Sequence, residues 1–280
     1  MNPAADSDPE LVQAHVELDL PGGNRLEADV SVPRGLVPAS KLVPMARALS
    51  EQIVGLTVLQ AEESGRCVSC GPGCGACCRQ LAPISETEAR MIAQLVEALP
   101  EPRRTVIQER FAATRRRLDE AGLLAPLRDD SRNFWSKDET RHYAFEYFRQ
   151  DIPCPFLEDE SCSIHPERPL VCREYLVTSD PIHCAEIESK KIEGIHLPAH
   201  VWAALARISE TPSSDRTPPW VPLSLALDWV EAHPEEPLMR PGPEVFREFF
   251  QTVAGMVALR CKPIDEGSPL RVWGQHESDF

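Results

Sequence analysis

Residues 67–80 read CVSCGPGCGACCRQ, five cysteines within twelve residues that end on the adjacent pair Cys77-Cys78. A looser set follows at Cys154, Cys162, Cys172 and Cys184, so nine of the ten cysteines fall between residues 67 and 184. A thiolate is a soft ligand that selects zinc, copper(I) or an iron–sulfur centre. Free cysteines are often small buried hydrophobes. That description suits Cys261, at the end of an apolar helix, but not nine clustered thiols. The nine suffice for two four-cysteine centres with one left over, or for one centre with additional redox thiols.

The glycines sharpen the local picture. Gly71-Pro72-Gly73 cannot continue a helix comfortably, so Cys70 precedes a turn. A helix starting near Cys74 would place Cys74, Cys77 and Cys78 at i, i+3 and i+4 on one face. Gly71, Gly73 and Gly75 would let the backbone approach an inorganic core and donate amide hydrogens to its sulfurs. Adjacent side chains diverge by about 100° on a helix and point oppositely on a strand. Cys77 and Cys78 therefore do not grip one tetrahedral ion together. The solutions are two neighbouring centres, one centre plus a free thiol, or a larger polynuclear core. A vicinal disulfide is the strained alternative.

Cys67-x2-Cys70 looks like half of a zinc ribbon, yet no matched C-x2-C pair follows ~15–20 residues on. The compact run Cys70-x3-Cys74-x2-Cys77, and the Cys154-Pro155 step, follow iron–sulfur habits and favour iron over zinc. The C-x3-C-x2-C spacing also occurs in radical S-adenosylmethionine enzymes. Those are partial α/β barrels, and this chain shows no series of strand–helix units.

Outward from the cysteines, residues 11–33 alternate in period two around PGGN and predict a β-hairpin. Residues 38–60 carry apolar residues at helical spacing. Ser85 with Glu88 makes a capping box for a helix over 85–99. Helices are expected over 102–122, 137–150, 199–210, 222–232 and 243–260, with 211–220 a linker. Tyr143, Phe145, Tyr147 and Phe148 read as packing beside the cysteines. The expected organisation is an N-terminal hairpin plus helix over 1–64, a cysteine-cluster metal-binding core over 65–190, C-terminal helices over 191–265 and a tail over 266–280. The fold class is mainly α with a short N-terminal β-hairpin (α+β), with cysteine-rich loops closing over a metal centre.

The formal charge of −15 over 280 residues repels phosphate backbones and argues against nucleic acid. No apolar run reads as approaching the ~20 residues that span a bilayer, and residues 1–15 have no secretory pattern. The expectation is a cytoplasmic protein with no membrane association, where clustered cysteines bind metal rather than form a disulfide framework.

The second block, CPFLEDESCSIHPERPLVCREY (154–175), taken with CGPGCGACCRQ (70–80), resembles the YkgJ-type cysteine-cluster family, whose domain chelates zinc or iron. The resemblance covers roughly residues 65–185. It implies metal ligands at Cys70, Cys74, Cys77 and Cys78 in the first cluster, Cys154 in CPFL, Cys162 in the middle segment and Cys172 in the CR motif. Cys67 and Cys184 flank this core as further candidates. Arg168 and Arg173 match the family's two arginines, placed to offset an anionic metal–thiolate centre; Arg79 is a third candidate. His165 stands where the family often has Tyr. The family also bears the label flagellin N-methylase, although no glycine-rich nucleotide loop follows a strand here. Three readings stay open: an iron–sulfur protein with a redox role, a metal-dependent protein-lysine methylase-like enzyme, and a zinc-organised scaffold whose acidic surface meets a protein partner.

Overall fold

The computed structural model describes residues 11–209, 211, 217–235, 237–260 and 270–273. Cys261 lies outside the described residues. The regular elements of the first half are β1 (Leu11–Asp19), β2 (Arg25–Pro33), β3 (Leu36–Pro38), α1 (Val43–Glu63), β4 (Pro83–Ile84), α2 (Glu86–Glu97), α3 (Arg103–Glu120), α4 (Leu124–Arg128) and α5 (Lys137–Arg149). Those of the second half are β5 (Leu157–Glu158), β6 (Ser161–Cys162), α6 (Leu170–Glu174), α7 (Val201–Ala206), β7 (Val221–Pro222), α8 (Ala226–Ala232), β8 (Met239–Pro241), α9 (Gly242–Arg260) and β9 (Leu270–Trp273). The protein is mainly helical, with the N-terminal hairpin that the alternation predicts.

That hairpin pairs β1 with β2 from Leu11↔Pro33 to Asp19↔Arg25. Period two sends Val16, Leu18 and Val32 into the interior. The turn is a single 3-10 turn over Pro21–Gly23, with Gly23 at φ +80°, a conformation glycine adopts without penalty. A hairpin alone is marginal in water. Here its outer edge is extended by β9, with Val16 opposite Val272. The sequence reading put residues 270–273 in a tail; the short alternation LRVW instead supplies a strand.

The hairpin lies on α1, α7 and α9. Val16, Leu18, Val43, Ala46, Ile53, Ala204, Phe249 and Val253 share one apolar cluster. Burying each large side chain contributes roughly 1.5–3 kcal/mol. The helical segment Ala39–Glu63 is long and apolar enough to cross a membrane by length and composition, with a mean hydropathy of 1.3 over an 18-residue window. The sequence reading found no such run, because Arg47 and Glu51 interrupt it while the average stays apolar. About a third of that window (33%) is buried inside the protein, where α1 packs on α6 and α7.

The middle of the chain forms two smaller cores. Ile84, Ile92, Ile107, Phe111, Phe156 and Trp229 make one, and Leu118, Leu127, Tyr147 and Trp220 the other. The Ser85–Glu88 capping box is present, and a second, unforeseen one starts α5 at Ser136 and Glu139. Phe145 stays outside these cores beneath the guanidinium of Arg141, 5.3 Å from it. The segment read as a linker ends in packed structure. Pro218–Trp220 are buried, and the Trp220 backbone accepts from Arg132 Nε at 2.8 Å and donates to Asn133 Oδ1 at 3.2 Å.

Candidate metal centre

The first cysteine run is not a helix from Cys74. Cys74 sits on a turn, its N–H bonded to the Gly71 carbonyl at 3.1 Å, with Gly73 at φ +84°. A single 3-10 turn then covers Ala76–Arg79. The helix fails because Gly-Pro-Gly sets the chain in a turn just before it, and only four residues separate Gly75 from the extended Gln80.

Gly75 makes the closest approach, and the partner is protein rather than an inorganic core. A Cβ there would collide with the Glu160 carboxylate and lie 2.8 Å from Leu157 Cδ1. The β5–β6 hairpin therefore presses on the first cysteine run. Gly73 donates to Ser161 Oγ at 3.3 Å, whereas the space above Gly71 is open. The expectation that these three glycines face a cluster is thus corrected for Gly73 and Gly75: their neighbours are on the second block.

Backbone bonds carry the second block to the first. Cys154 N–H donates to the Cys78 carbonyl at 2.7 Å, and Ser163 N–H to the Phe156 carbonyl at 2.9 Å. Cys162 pairs with Leu157 in β5–β6. Cys172 lies in α6, whose first amide, Leu170 N–H, donates to Glu88 Oε1 at 2.7 Å. The other oxygen of Glu88 closes the capping box, accepting from Ser85 Oγ at 2.9 Å. One buried carboxylate thus docks two helix starts. Its capping role was legible from S-x-x-E; its second bond joins residues 82 apart and left no local signal.

The thiols gather around Cys77. Cys70, Cys154, Cys162, Cys172 and Cys184 all lie within reach of its charge, and Cys78 shares a sulfur hydrogen bond with it. Cys74 is within reach of Cys70 and Cys184. Cys67 is exposed, and nothing among the described residues joins it to the other thiols. Within the pair, the hydrogen bond from Cys78 holds Cys77 below the usual thiol range, while donating that bond raises Cys78. Burial pushes Cys154 up to about 12 and Cys184 up to about 11, and raises Cys172 as well. A metal binding here displaces protons from these thiols. Among the described residues no group of three or more Cys, His, Asp or Glu side chains closes on a single ion-sized point.

The arginines divide. Arg79 forks onto Glu160 at 2.9 and 2.7 Å and reaches Asp151 at 3.4 Å. Arg173 donates to the Arg168 carbonyl at 3.0 Å, to Glu51 at 2.7 Å and to the Pro166 carbonyl, so it braces α6 against α1. Arg168 differs. Its Nε is buried without a partner, and its charge acts on Cys70, Cys77 and Cys162. An orphaned guanidinium nitrogen beside a sulfur-only donor set fits an anionic metal–thiolate centre. His165 is exposed, and Arg168 lowers its pKa. His183 Nδ1 pairs with the Lys191 carbonyl at 3.1 Å.

Two further residues, with no signal in the cysteine spacing, join the site. The Tyr175 hydroxyl bonds to the Cys184 sulfur and to the Gln80 side chain, and Gln80 Nε2 donates to the Cys184 carbonyl at 3.2 Å.

No curated protein and no solved structure matches the chain. A family model does, over residues 69–193, and its description is "putative zinc- or iron-chelating domain". The family's name writes its motif as CxxCxxCC, whereas Cys70 and Cys74 here are separated by three residues, the extra one accommodated in the Gly-Pro-Gly turn. Eight of the nine clustered cysteines, Cys70 to Cys184, fall inside that match with Arg79, Arg168, Arg173 and the β5–β6 hairpin, and over this segment the chain matches the cysteine-cluster family.

Proposed function

We propose that the domain holds iron as an iron–sulfur cluster and serves a redox role through it. The observation that carries this reading is that Cys70, Cys78, Cys154, Cys162, Cys172 and Cys184 all lie within reach of the charge of Cys77, more thiols than one tetrahedral ion takes. A zinc ion draws each sulfur to about 2.3 Å from a single centre. A polynuclear iron–sulfide core is larger and takes its cysteines around its periphery. Such a core supplies one-electron transfer when bound. The chain's part is to provide the thiolates, to set Arg168 against their negative charge, and to wall Cys154, Cys162 and Cys172 with Phe156, Ile164 and Val171. Apolar walls and charge-assisted donors are the means by which proteins tune such centres.

The test is purification without oxygen, followed by a visible spectrum and analysis for iron, acid-labile sulfide and zinc. A brown protein with iron and sulfide in comparable amounts is the expected result. A colourless protein that holds zinc and no sulfide overturns the reading and makes the domain a zinc-organised scaffold.

A further inference from the structure

Strand β2 is paired on one side. In the sheet order β2-β1-β9, β9 takes the far edge of β1, and among the described residues nothing pairs with the far edge of β2. That edge is nine residues long, against about 5–6 for an ordinary strand. Natural proteins commonly cover or shorten an edge of this kind, or break it with proline. Here the one proline of β2 is its last residue, Pro33.

The hairpin turn fixes which backbone groups the edge offers. Leu20 N–H donates to the Asn24 carbonyl at 2.7 Å, which makes these two a bonded pair. Bonded and non-bonded pairs alternate along an antiparallel ladder. Leu18↔Leu26, Val16↔Ala28 and Ala14↔Val30 are then bonded, and Glu17↔Glu27, His15↔Asp29 and Gln13↔Ser31 between them are not. The N–H and C=O groups of Glu27, Asp29 and Ser31 therefore point away from β1.

The two faces beside this edge differ. Side chains alternate across a strand, so Glu27 and Asp29 share the outer face with Glu17 and Asp19 of β1. Against these four carboxylates stand His15 and Arg25. His15 Nδ1 lies 2.8 Å from Asp29, whose side chain is still 83% exposed. Arg25 Nε lies 2.5 Å from Asp19, and among the described residues no ion pair ends on Glu27. The inner face is apolar and only partly covered. Val32 is 3% exposed, but Leu26 and Val30 are half-buried and Ala28 is exposed.

We propose that the free edge of β2 docks an extended segment of a partner protein in which basic and apolar residues alternate. The segment's backbone completes the ladder with Glu27, Asp29 and Ser31. Its apolar residues cover Leu26, Ala28 and Val30, and its basic residues meet Glu27 and Asp29. Main-chain bonds supply affinity in such strand addition, and alternate side chains supply specificity. A second copy of β2 is the poorer occupant, because it carries the same carboxylates onto the same face, where like charges across strands destabilise. The site belongs to the apolar layer and is independent of the metal that the cysteines hold.

The experiment titrates the full chain, as isolated, with a dye-labelled peptide of alternating lysine and valine, nine residues long like β2, and reads fluorescence anisotropy. A peptide of the same composition, with its lysines and valines in separate blocks, controls for attraction to net charge. Ser31→Pro removes one outward N–H and leaves the β1 ladder in place, as proline permits on an edge strand. Glu27→Lys keeps the strand and reverses one charge. The alternating peptide should bind about tenfold tighter than the blocked one, and each substitution should weaken it by about tenfold, the worth of one charge-assisted or main-chain contact. Hydrogen exchange should slow in residues 25–33 when the peptide is bound. Absence of binding, equal binding of the two peptides, or an affinity that either folded variant leaves unchanged overturns the proposal. If Ser31→Pro does not fold, Glu27→Lys alone decides. A dimer of the free protein that Ser31→Pro abolishes also overturns it, by giving the edge to a second copy.

Discussion

The layer made by the hairpin, α1, α7 and α9 and the region made by the two cysteine blocks are organised by different physics. The first has a continuous apolar interior of large side chains, Leu18, Ile53, Phe249 and Val253 among them. Its strands and long helices form by period and burial. The second is made of turns, two-residue strands and one-turn helices, too short to be stable by themselves. It is pinned by single bonds between distant residues, such as Cys154 to Cys78 and Leu170 to Glu88, and it surrounds Arg168 and the gathered thiols. A region built this way gains its cohesion from the metal it binds. The lesson is that one chain can carry one part that folds by burial and another that is completed by a ligand.

Three substitutions press on that contrast. The largest effect on stability is expected from Phe249→Ala, at the centre of the apolar layer, where Phe249 is 0% exposed. It should cost about 3–5 kcal/mol in denaturant unfolding while metal per chain stays at the wild-type value. A matching loss of metal would show that the two parts are one cooperative unit. Gly75→Ala should cost about 1–3 kcal/mol by overpacking, because the new methyl meets Leu157 and Glu160. The damage should appear in metal content first, since the contact sets the two cysteine blocks against each other. Arg168→Met keeps the bulk and removes the charge. It should weaken metal affinity by about tenfold in a chelator competition, with little change in the melting temperature of the metal-free protein. Unchanged affinity would contradict the role given to Arg168, whose Nε is buried without a partner.

The apolar layer was largely legible in the sequence, because alternation in 11–33 and helical spacing in 38–60 are local signals. The capping box at Ser85 was legible for the same reason. The cysteine region was legible as chemistry but not as geometry. Spacing marked Cys70, Cys74, Cys77 and Cys78 as candidates, yet the helix drawn through them gave way to a 3-10 turn after Gly-Pro-Gly. The functions of Gly75, Glu88 and Arg168 depend on partners 80 or more residues away or on a neighbouring loop, and no periodicity records such pairings. Strand β9 was missed because four alternating residues near the end of a chain are too few to distinguish from coil without the edge of β1 to receive them.

The central claim is that metal organises the cysteine region and not the apolar layer. Hydrogen exchange, read peptide by peptide on the protein as isolated and after removal of metal by a chelator, tests it most directly. The account predicts that protection falls in residues 67–80 and 154–184 and persists in 43–63 and 242–257. Equal loss in all four segments, or no loss in the first two, would contradict it.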